Sequence, residues 1–207
     1  MYVRNFMSTP VVSISPNDTI ADTLALMREK QINRMPVVDK GKVVGLVTDG
    51  DLREISPSPA TTLSIFELNY LVAKTAIREV AVKHVISCTP NTKIEDAALL
   101  MREHKIGGLP VVEDGQLVGI ITQTDIFDAF LDTLGFRSPG QRVVVETKDE
   151  VGVISEMSAI IKDYDVNIAS LALFHRSHAM VQILARLNGE QATEAINALK
   201  AKGYQIE

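Results

Sequence analysis

The sequence predicts a mixed α/β (α+β) protein in which one α/β unit occurs twice in tandem, followed by a smaller β-α-β-β-α-β plait. Three observations carry this reading. Residues 16–52 recur at 90–126 with a constant offset of 74, no gap, and 17 of 37 positions identical. Each copy sets an apolar helical face ahead of two short apolar strands. The run Gly135-Phe136-Arg137-Ser138-Pro139-Gly140 then breaks the pattern, and a new alternation of strand and helix begins. Two copies of one unit are expected to pack as a pseudo-symmetric pair with clefts between them, an arrangement suited to sensing a ligand.

Each repeat reads strand, helix, strand, strand, helix. The first strands centre on Val12 and Ile86. In the second repeat Thr92-Lys93-Ile94-Glu95 reads as a capping box, with Ile94, Ala97, Ala98 and Met101 on one face of the helix that follows. Asp18 is the matching cap in the first repeat, with Ile20, Leu24 and Met27 buried. Pro36-Val37-Val38 and Val43–Val47 read as strands joined by Asp39-Lys40-Gly41, and Glu113-Asp114-Gly115 is the equivalent hairpin signal. Short helices follow at Asp51–Glu54 and Asp125–Leu134, the second with Ile126, Phe127, Phe130 and Leu131 inward.

Between the repeats, Ser56-Pro57-Ser58-Pro59 reads as a turn or linker with no continuing helix, and Ser64-Ile65-Phe66-Glu67 starts a helix that runs to about Lys74. The last segment reads as strand Arg142–Thr147, helix Gly152–Tyr164, strand Asn167–Phe174, strand Ala179–Leu187, helix Gln191–Lys202 and strand Tyr204–Ile206. This is the ferredoxin-like order. The expected division is 1–56 for repeat 1, 57–77 for a linker with its inserted helix, and 78–134 for repeat 2. A linker at 135–140 and the plait at 141–207 complete it.

Composition narrows the function. A net charge of −5 argues against non-specific nucleic-acid binding, which needs clustered Lys and Arg. The single Cys88 excludes an intramolecular disulfide and a Cys-built zinc site, and it suits a reducing cytoplasmic setting. No apolar run approaches the ~18 residues of a membrane span. Gly-rich phosphate loops are absent, and His84 and His104 have no evident catalytic partners. His175-Arg176-Ser177-His178 reads as a solvated hairpin tip rather than a metal pair. No catalytic residues and no catalytic cofactor are expected.

The duplicated unit resembles the CBS domain, whose pairs form a Bateman module. It does so through Pro-Val-Val-Asp/Glu and through Gly45-Leu46-Val47-Thr48-Asp49-Gly50-Asp51 with its counterpart Gly119-Ile120-Ile121-Thr122-Gln123-Thr124-Asp125. The tail resembles an ACT domain through Asp149-Glu150-Val151-Gly152 and Asn167-Ile168. The order CBS–CBS–ACT is similar to the bacterial acetoin-utilisation regulatory family of AcuB type. The resemblance implies an allosteric regulator that binds an adenine nucleotide (AMP, ADP or ATP) or S-adenosylmethionine between the repeats. It also implies a homodimer formed through CBS or ACT contacts, and control of an unidentified metabolic enzyme.

A Thr and an Asp three residues apart at a strand-to-helix turn place a hydroxyl and a carboxylate over one opening. The carboxylate can accept from ribose hydroxyls, and the helix N-terminus favours an anion. The family resemblance assigns Thr48, Asp51, Thr122 and Asp125 to ribose and phosphate, and the backbone near Val12 and Ile86 to adenine. The same residue types also serve as plain helix caps. The clefts are expected to differ. Asp49 beside Asp51 disfavours phosphate in the first, whereas family geometry brings Asn33 and Arg34 to the second and Gly107-Gly108 to the first. Arg34 can hold phosphate there, or can be a solvated surface side chain.

In the ACT-like segment the resemblance implies an amino-acid site at Asp149, Val151, Gly152, Asn167 and Ile168, across a subunit interface. Val151 replaces the usual Pro, and Gly152 and Asn167 also suit a tight turn and a strand cap. Two other classes remain: a ligand-free dimerisation scaffold, and an enzyme related to the CBS-containing inosine-monophosphate dehydrogenases, for which the chain lacks a catalytic domain's length.

Overall fold

The helix of the first repeat, α1 (Ile20–Lys30), buries Ile20, Thr23 and Met27 on one face. It leads into strands β1 (Arg34–Asp39) and β2 (Lys42–Thr48), then helix α2 (Asp49–Glu54). The second repeat contributes a short helix α3 (Ile77–Val80), then α4 (Ile94–Glu103), β3 (Gly108–Glu113), β4 (Gln116–Thr122) and α5 (Gln123–Thr133). These come from a computed structural model, which describes residues 1–54, 70, 74–175 and 179–207. The expected turn at 56–59 and most of the expected helix at 64–74 lie outside the described residues. Two units are distinguished, Met1–Ile126 and Phe127–Glu207. Among the described residues no helix is long and apolar enough to cross a membrane.

The two hairpins are built alike. β1 pairs with β2 and β3 with β4, both antiparallel, with irregularities at Val37/Val38 and at the equivalent Val111/Val112. Lys40 and Gly41 both have positive φ, as do Asp114 and Gly115. Positive φ at both central residues is the two-residue turn that matches strand twist. The first repeat's core joins Ile14, Ile20, Met27, Met35, Val37, Val47, Leu52 and Ile77. In the second repeat Ile94, Ala97, Met101, Leu109, Val111 and Ile121 are buried.

The repeats exchange their leading segments. Residues 1–8 bond to repeat 2: Val3 N–H donates to Thr92 O, Arg4 N–H to Pro90 O, and Ser8 exchanges two backbone bonds with Ile120. The equivalent segment 75–82 bonds to repeat 1: Ile77 N–H donates to Asp18 O, Arg78 N–H to Pro16 O, and Val82 exchanges two bonds with Leu46. Both crossings run over a glycine. An added Cβ at Gly45 would meet Ala81 Cβ at 3.0 Å, and one at Gly119 would collide with the Met7 sulfur. A larger residue at Gly45 would crowd Ala81, and one at Gly119 would have to displace the flexible Met7 side chain.

Several local expectations are corrected. The first strands shrink to single bridges, Ile14 beside Val37 and Cys88 beside Val111. Asp18 and Thr92 are not the helix caps. Thr19 caps α1, its hydroxyl accepting from Asp22 N–H at 3.1 Å, and Lys93 precedes α4 without a side-chain bond. Asp18 instead accepts from Ser15 N–H at 2.8 Å, and Thr92 Oγ1 from Thr89 N–H at 3.0 Å, so each closes the turn before its helix. Phe127 and Phe130 are 63% and 43% exposed, and the buried face of α5 carries Ile126 and Ala129.

The second unit contains β5 (Gln141–Lys148), α6 (Val153–Lys162), β6 (Asn167–His175), β7 (Met180–Asn188), α7 (Ala192–Ala201) and β8 (Gln205–Ile206). The sheet order is β6-β7-β5-β8, antiparallel throughout. Both helices pack on one face, where Val143, Val145, Ile183 and Leu187 meet Met157, Ile161, Ala195 and Leu199. The β-α-β-β-α-β order expected from the sequence is therefore present.

Cys88 sits in the core beside Val111, and burial pushes its thiol from the ordinary 9.0 up to about 11. The folded state holds the proton more tightly than the unfolded state. The resulting stability is complete below pH 9 and declines as pH rises toward 11. Urea unfolding at pH 8 and pH 10.5 is expected to show a larger loss for the wild type than for Cys88→Ala.

Candidate functional site

The strand-to-helix turn ending β4 holds the Asp125 carboxylate in place. Its Oδ2 accepts from the Thr122 N–H and from the Thr122 hydroxyl, each at 2.7 Å. Thr122 Oγ1 receives the Asp125 N–H at 3.4 Å. The backbone and hydroxyl bonds both reach one carboxylate oxygen, so Oδ1 keeps its acceptor capacity while the group's direction is fixed. The turn ending β2 repeats this arrangement: Asp51 Oδ2 accepts from Thr48 N–H at 3.1 Å and from its hydroxyl at 2.7 Å. The turns differ in setting. Asp125 is half-buried and Asp51 is exposed.

A cavity of about 480 Å³ opens beside the half-buried turn. Thr122, Gln123, Thr124 and Asp125 line it from repeat 2, and Val12, Asn33 and Arg34 from repeat 1. Of the predicted nucleotide residues, Thr122, Asp125, Arg34 and Val12 thus share one cavity. Thr48, Asp51 and Ile86 do not line it. Asp49, the residue expected to repel phosphate from the first cleft, is ion-paired to Arg53 at 2.9 Å.

Arg34 reaches this cavity by crossing to the other repeat. An added Cβ at Gly107 would stand 2.5 Å from both terminal guanidinium nitrogens, and one at Gly108 would stand 2.9 Å from Arg34 Cδ. The side chain therefore lies over these two bare peptide units. Gly107, expected in the first cleft, lines the second beside Arg34. Burial lowers the Arg34 pKa from its ordinary value, but a guanidinium remains charged at neutral pH. Among the described residues none forms a salt bridge with it.

Sequence reasoning missed Ser8, Pro10, Val11, Gln31 and Ile32 as lining residues. The signal for the first three lay in the duplication: position 8 corresponds to 82, and both belong to crossing segments. Gln31 has a left-handed backbone at the end of α1, φ 54°, which no glycine announces.

The expected amino-acid residues of the second unit are separated within one chain. Val151 and Gly152 line a polar cavity of about 310 Å³ with Lys148, Glu156, Lys202 and Tyr204. Asn167 and Ile168 line another groove with Ser155, Ser158 and Lys162. Asp149 pairs instead with His175 Nδ1 at 3.2 Å. Gly152 precedes α6 with φ 96°, so the turn itself requires the positive φ. Residues 176–178 of the expected tip lie outside the described residues. Among the described residues no group of three or more His, Cys, Asp or Glu could hold a metal ion.

The CBS domain family model matches residues 3–58 and 77–132. A candidate acetoin utilization protein (AcuB) from Vibrio cholerae is similar in structure, with 29% identity and a TM-score of 0.56 over 68% of this chain and 98% of that one. CBSX2 in complex with AMP is 31% identical, with a TM-score of 0.53 over 63% of this chain and 96% of that one. The CBS domain pair of protein MJ0100, in complex with 5′-methylthioadenosine and S-adenosyl-L-methionine, is 27% identical. Its TM-score is 0.52 over 63% of this chain and 95% of that one.

Steric coupling between Arg34 and Gly107 is testable without any ligand. Gly107→Ala should displace the mobile guanidinium end at a cost below about 1 kcal/mol, because the colliding atoms end a flexible side chain. That cost should vanish in an Arg34→Ala background, measured as a double-mutant cycle by urea unfolding.

Proposed function

The chain belongs to the CBS domain family, and from that premise we propose a non-enzymatic regulatory protein whose second cleft binds an adenosyl ligand. The observation that carries this reading is the meeting of Thr122, Asp125, Val12 and Arg34, from two repeats, around one cavity of about 480 Å³. Asp125 Oδ1 accepts from a ribose hydroxyl, and the apolar Pro10–Val12 wall receives adenine. The AMP complex of CBSX2 and the methylthioadenosine and S-adenosyl-L-methionine complex of the MJ0100 domain pair support this ligand class. The first cleft, with Thr48, Asp51 and Ile86, is the secondary site, and its exposed Asp51 holds a ligand less firmly.

A ligand held by both repeats favours whichever arrangement of the module keeps those walls together, and its differential affinity is the regulatory signal. The signal acts on a metabolic enzyme in the cytoplasm, and acetoin metabolism is the pathway that the AcuB-like neighbour suggests. The second unit serves as an ACT-type dimerisation domain. Its edge strand β6 exposes Leu171, Leu173 and Phe174 by 38%, 44% and 48%, and an uncovered apolar edge favours pairing with a second copy. An amino acid touching both Gly152 and Asn167 would need that copy, because one chain keeps them in separate cavities.

Isothermal titration calorimetry with AMP, ATP and S-adenosylmethionine tests the reading. At least one compound is expected to bind the wild type and to bind Asp125→Ala at least tenfold more weakly. At a hundred times its Kd it should stabilise the wild type by about 2.7 kcal/mol. Absence of both heat and stabilisation with all three compounds would leave the scaffold reading in its place.

A further inference from the structure

We propose that residues 9–13 form a strap that a ligand in the second cleft draws tight, and that a cavity behind the strap sets how firmly the cleft closes. This rests on the adenosyl reading of the cleft and adds a means of regulating it. Both ends of the segment are fixed, one in each repeat. Ser8 exchanges two backbone bonds with Ile120. Ile14 N–H donates to Pro36 O at 3.1 Å, and Ile14 O accepts from Val38 N–H at 2.8 Å. Between these anchors, Thr9 to Ser13 make no backbone hydrogen bond among the described residues. Their peptide groups are left to water or to a ligand. A stretch with fixed ends and no ladder bonds opens at lower free energy than the frame that holds it.

The strap has space on both sides. Pro10, Val11 and Val12 wall the cavity of about 480 Å³ in front, which Thr122 and Asp125 also line. Thr9, Pro10, Val11 and Ser13 wall a second cavity of about 330 Å³ behind, with Val38 from the first repeat and Leu117 and Val118 from the second. Val11 and Val12 are accordingly half-buried rather than packed into the core. Close packing holds an apolar side chain in one position, and Val11 faces open volume both ways. At the hairpin tips the rear cavity is bounded by Gln116, whose carboxamide lies over Gly41, and Leu117 N–H donates to Gly41 O at 3.1 Å. A ligand that touches the strap and the Thr122 turn together orders the segment, and that ordering offsets part of its affinity. Filling the rear cavity orders the segment beforehand and removes the offset.

Backbone 15N relaxation of the free protein tests the strap, and calorimetry with AMP, ATP and S-adenosylmethionine tests the coupling. In the free wild type, order parameters at Val11, Val12 and Ser13 are expected below about 0.6, against about 0.85 at Ser8 and Ile14. A saturating ligand should raise the strap toward its anchors. Val118 lines the rear cavity and not the front one. Val118→Phe should therefore raise the strap's order parameters without ligand. It should also bind whichever of the three compounds the wild type binds about tenfold tighter, the scale of ordering one backbone residue. Strap order parameters equal to those of the anchors in the free wild type would overturn the strap while leaving the adenosyl site intact. Unchanged affinity in a folded Val118→Phe would overturn the coupling. No binding of any of the three compounds to the wild type would overturn the adenosyl reading and the coupling together. Should Val118→Phe fail to fold, Val38→Leu fills the same cavity from the first repeat, and the same two changes are expected.

Discussion

Everything in the first unit depends on the reciprocal exchange of leading segments. Ser8 pairs with Ile120 and Val82 with Leu46, so each repeat's hairpin gains its outer neighbour from the sequence ahead of the other repeat. Neither repeat keeps its own leading segment. A two-stranded hairpin alone is marginal in water. The exchange gives each hairpin further backbone bonds and ties both repeats into one cooperative body. It also creates the cleft. The chain from Ser8 to Val12 must leave Ile120 in repeat 2 and return to Ile14, which bridges Val37 in repeat 1. That return path is a wall of the cavity, and the Thr122 turn stands beside it.

Such a frame demands near-symmetry where backbones cross and forbids it where side chains meet. Gly45 and Gly119 are both glycine because a segment passes over each. Positions 34 and 108 cannot both be arginine, because the side chain of one already covers the other. Chemistry elsewhere is interchangeable. A carboxylate at Asp18 and a hydroxyl at Thr92 close the same turn by accepting the same kind of backbone N–H. The duplicated sequence therefore drifts freely where only an acceptor is needed, and diverges in a fixed sense where volume is shared.

Legibility in the sequence follows the same division. The second hairpin is legible because a two-residue turn with both φ positive favours Asp-Gly, and the first follows from the repeat, with Lys40 taking the position of Asp114. The β-α-β-β-α-β order was readable because Met157 and Ile161 mark a buried helical face between apolar strands. The helices start one residue later than the sequence suggests, because Asp18 and Thr92, good caps in isolation, each close the preceding turn instead. Hydrophobicity alone puts Phe127 and Phe130 inward, but the buried positions are the smaller Ala129 and Ile126. Arg34 lines the cavity with Thr122 and Asp125, where the family geometry puts it. Gly107 departs from its expected cleft, because its neighbour is a long side chain from the other repeat, and no periodicity records where a flexible arginine lies.

The two Thr-x-x-Asp turns show why a motif alone does not make a site. Both fix one carboxylate oxygen with two bonds from the Thr, and a third bond runs from the Asp N–H back to the Thr hydroxyl, so their internal geometry does not separate a cap from a ligand acceptor. The environment does. At Asp51 the remaining oxygen competes with bulk water, and a ribose hydroxyl would gain little by replacing a solvent molecule. At Asp125 the turn is half-buried beside a cavity whose other charged side chain is an arginine from the opposite repeat. An acceptor already oriented and partly desolvated gains more from a ligand hydroxyl, because the protein has paid the ordering entropy in folding. The divergence that matters between the copies is thus burial around an unchanged turn.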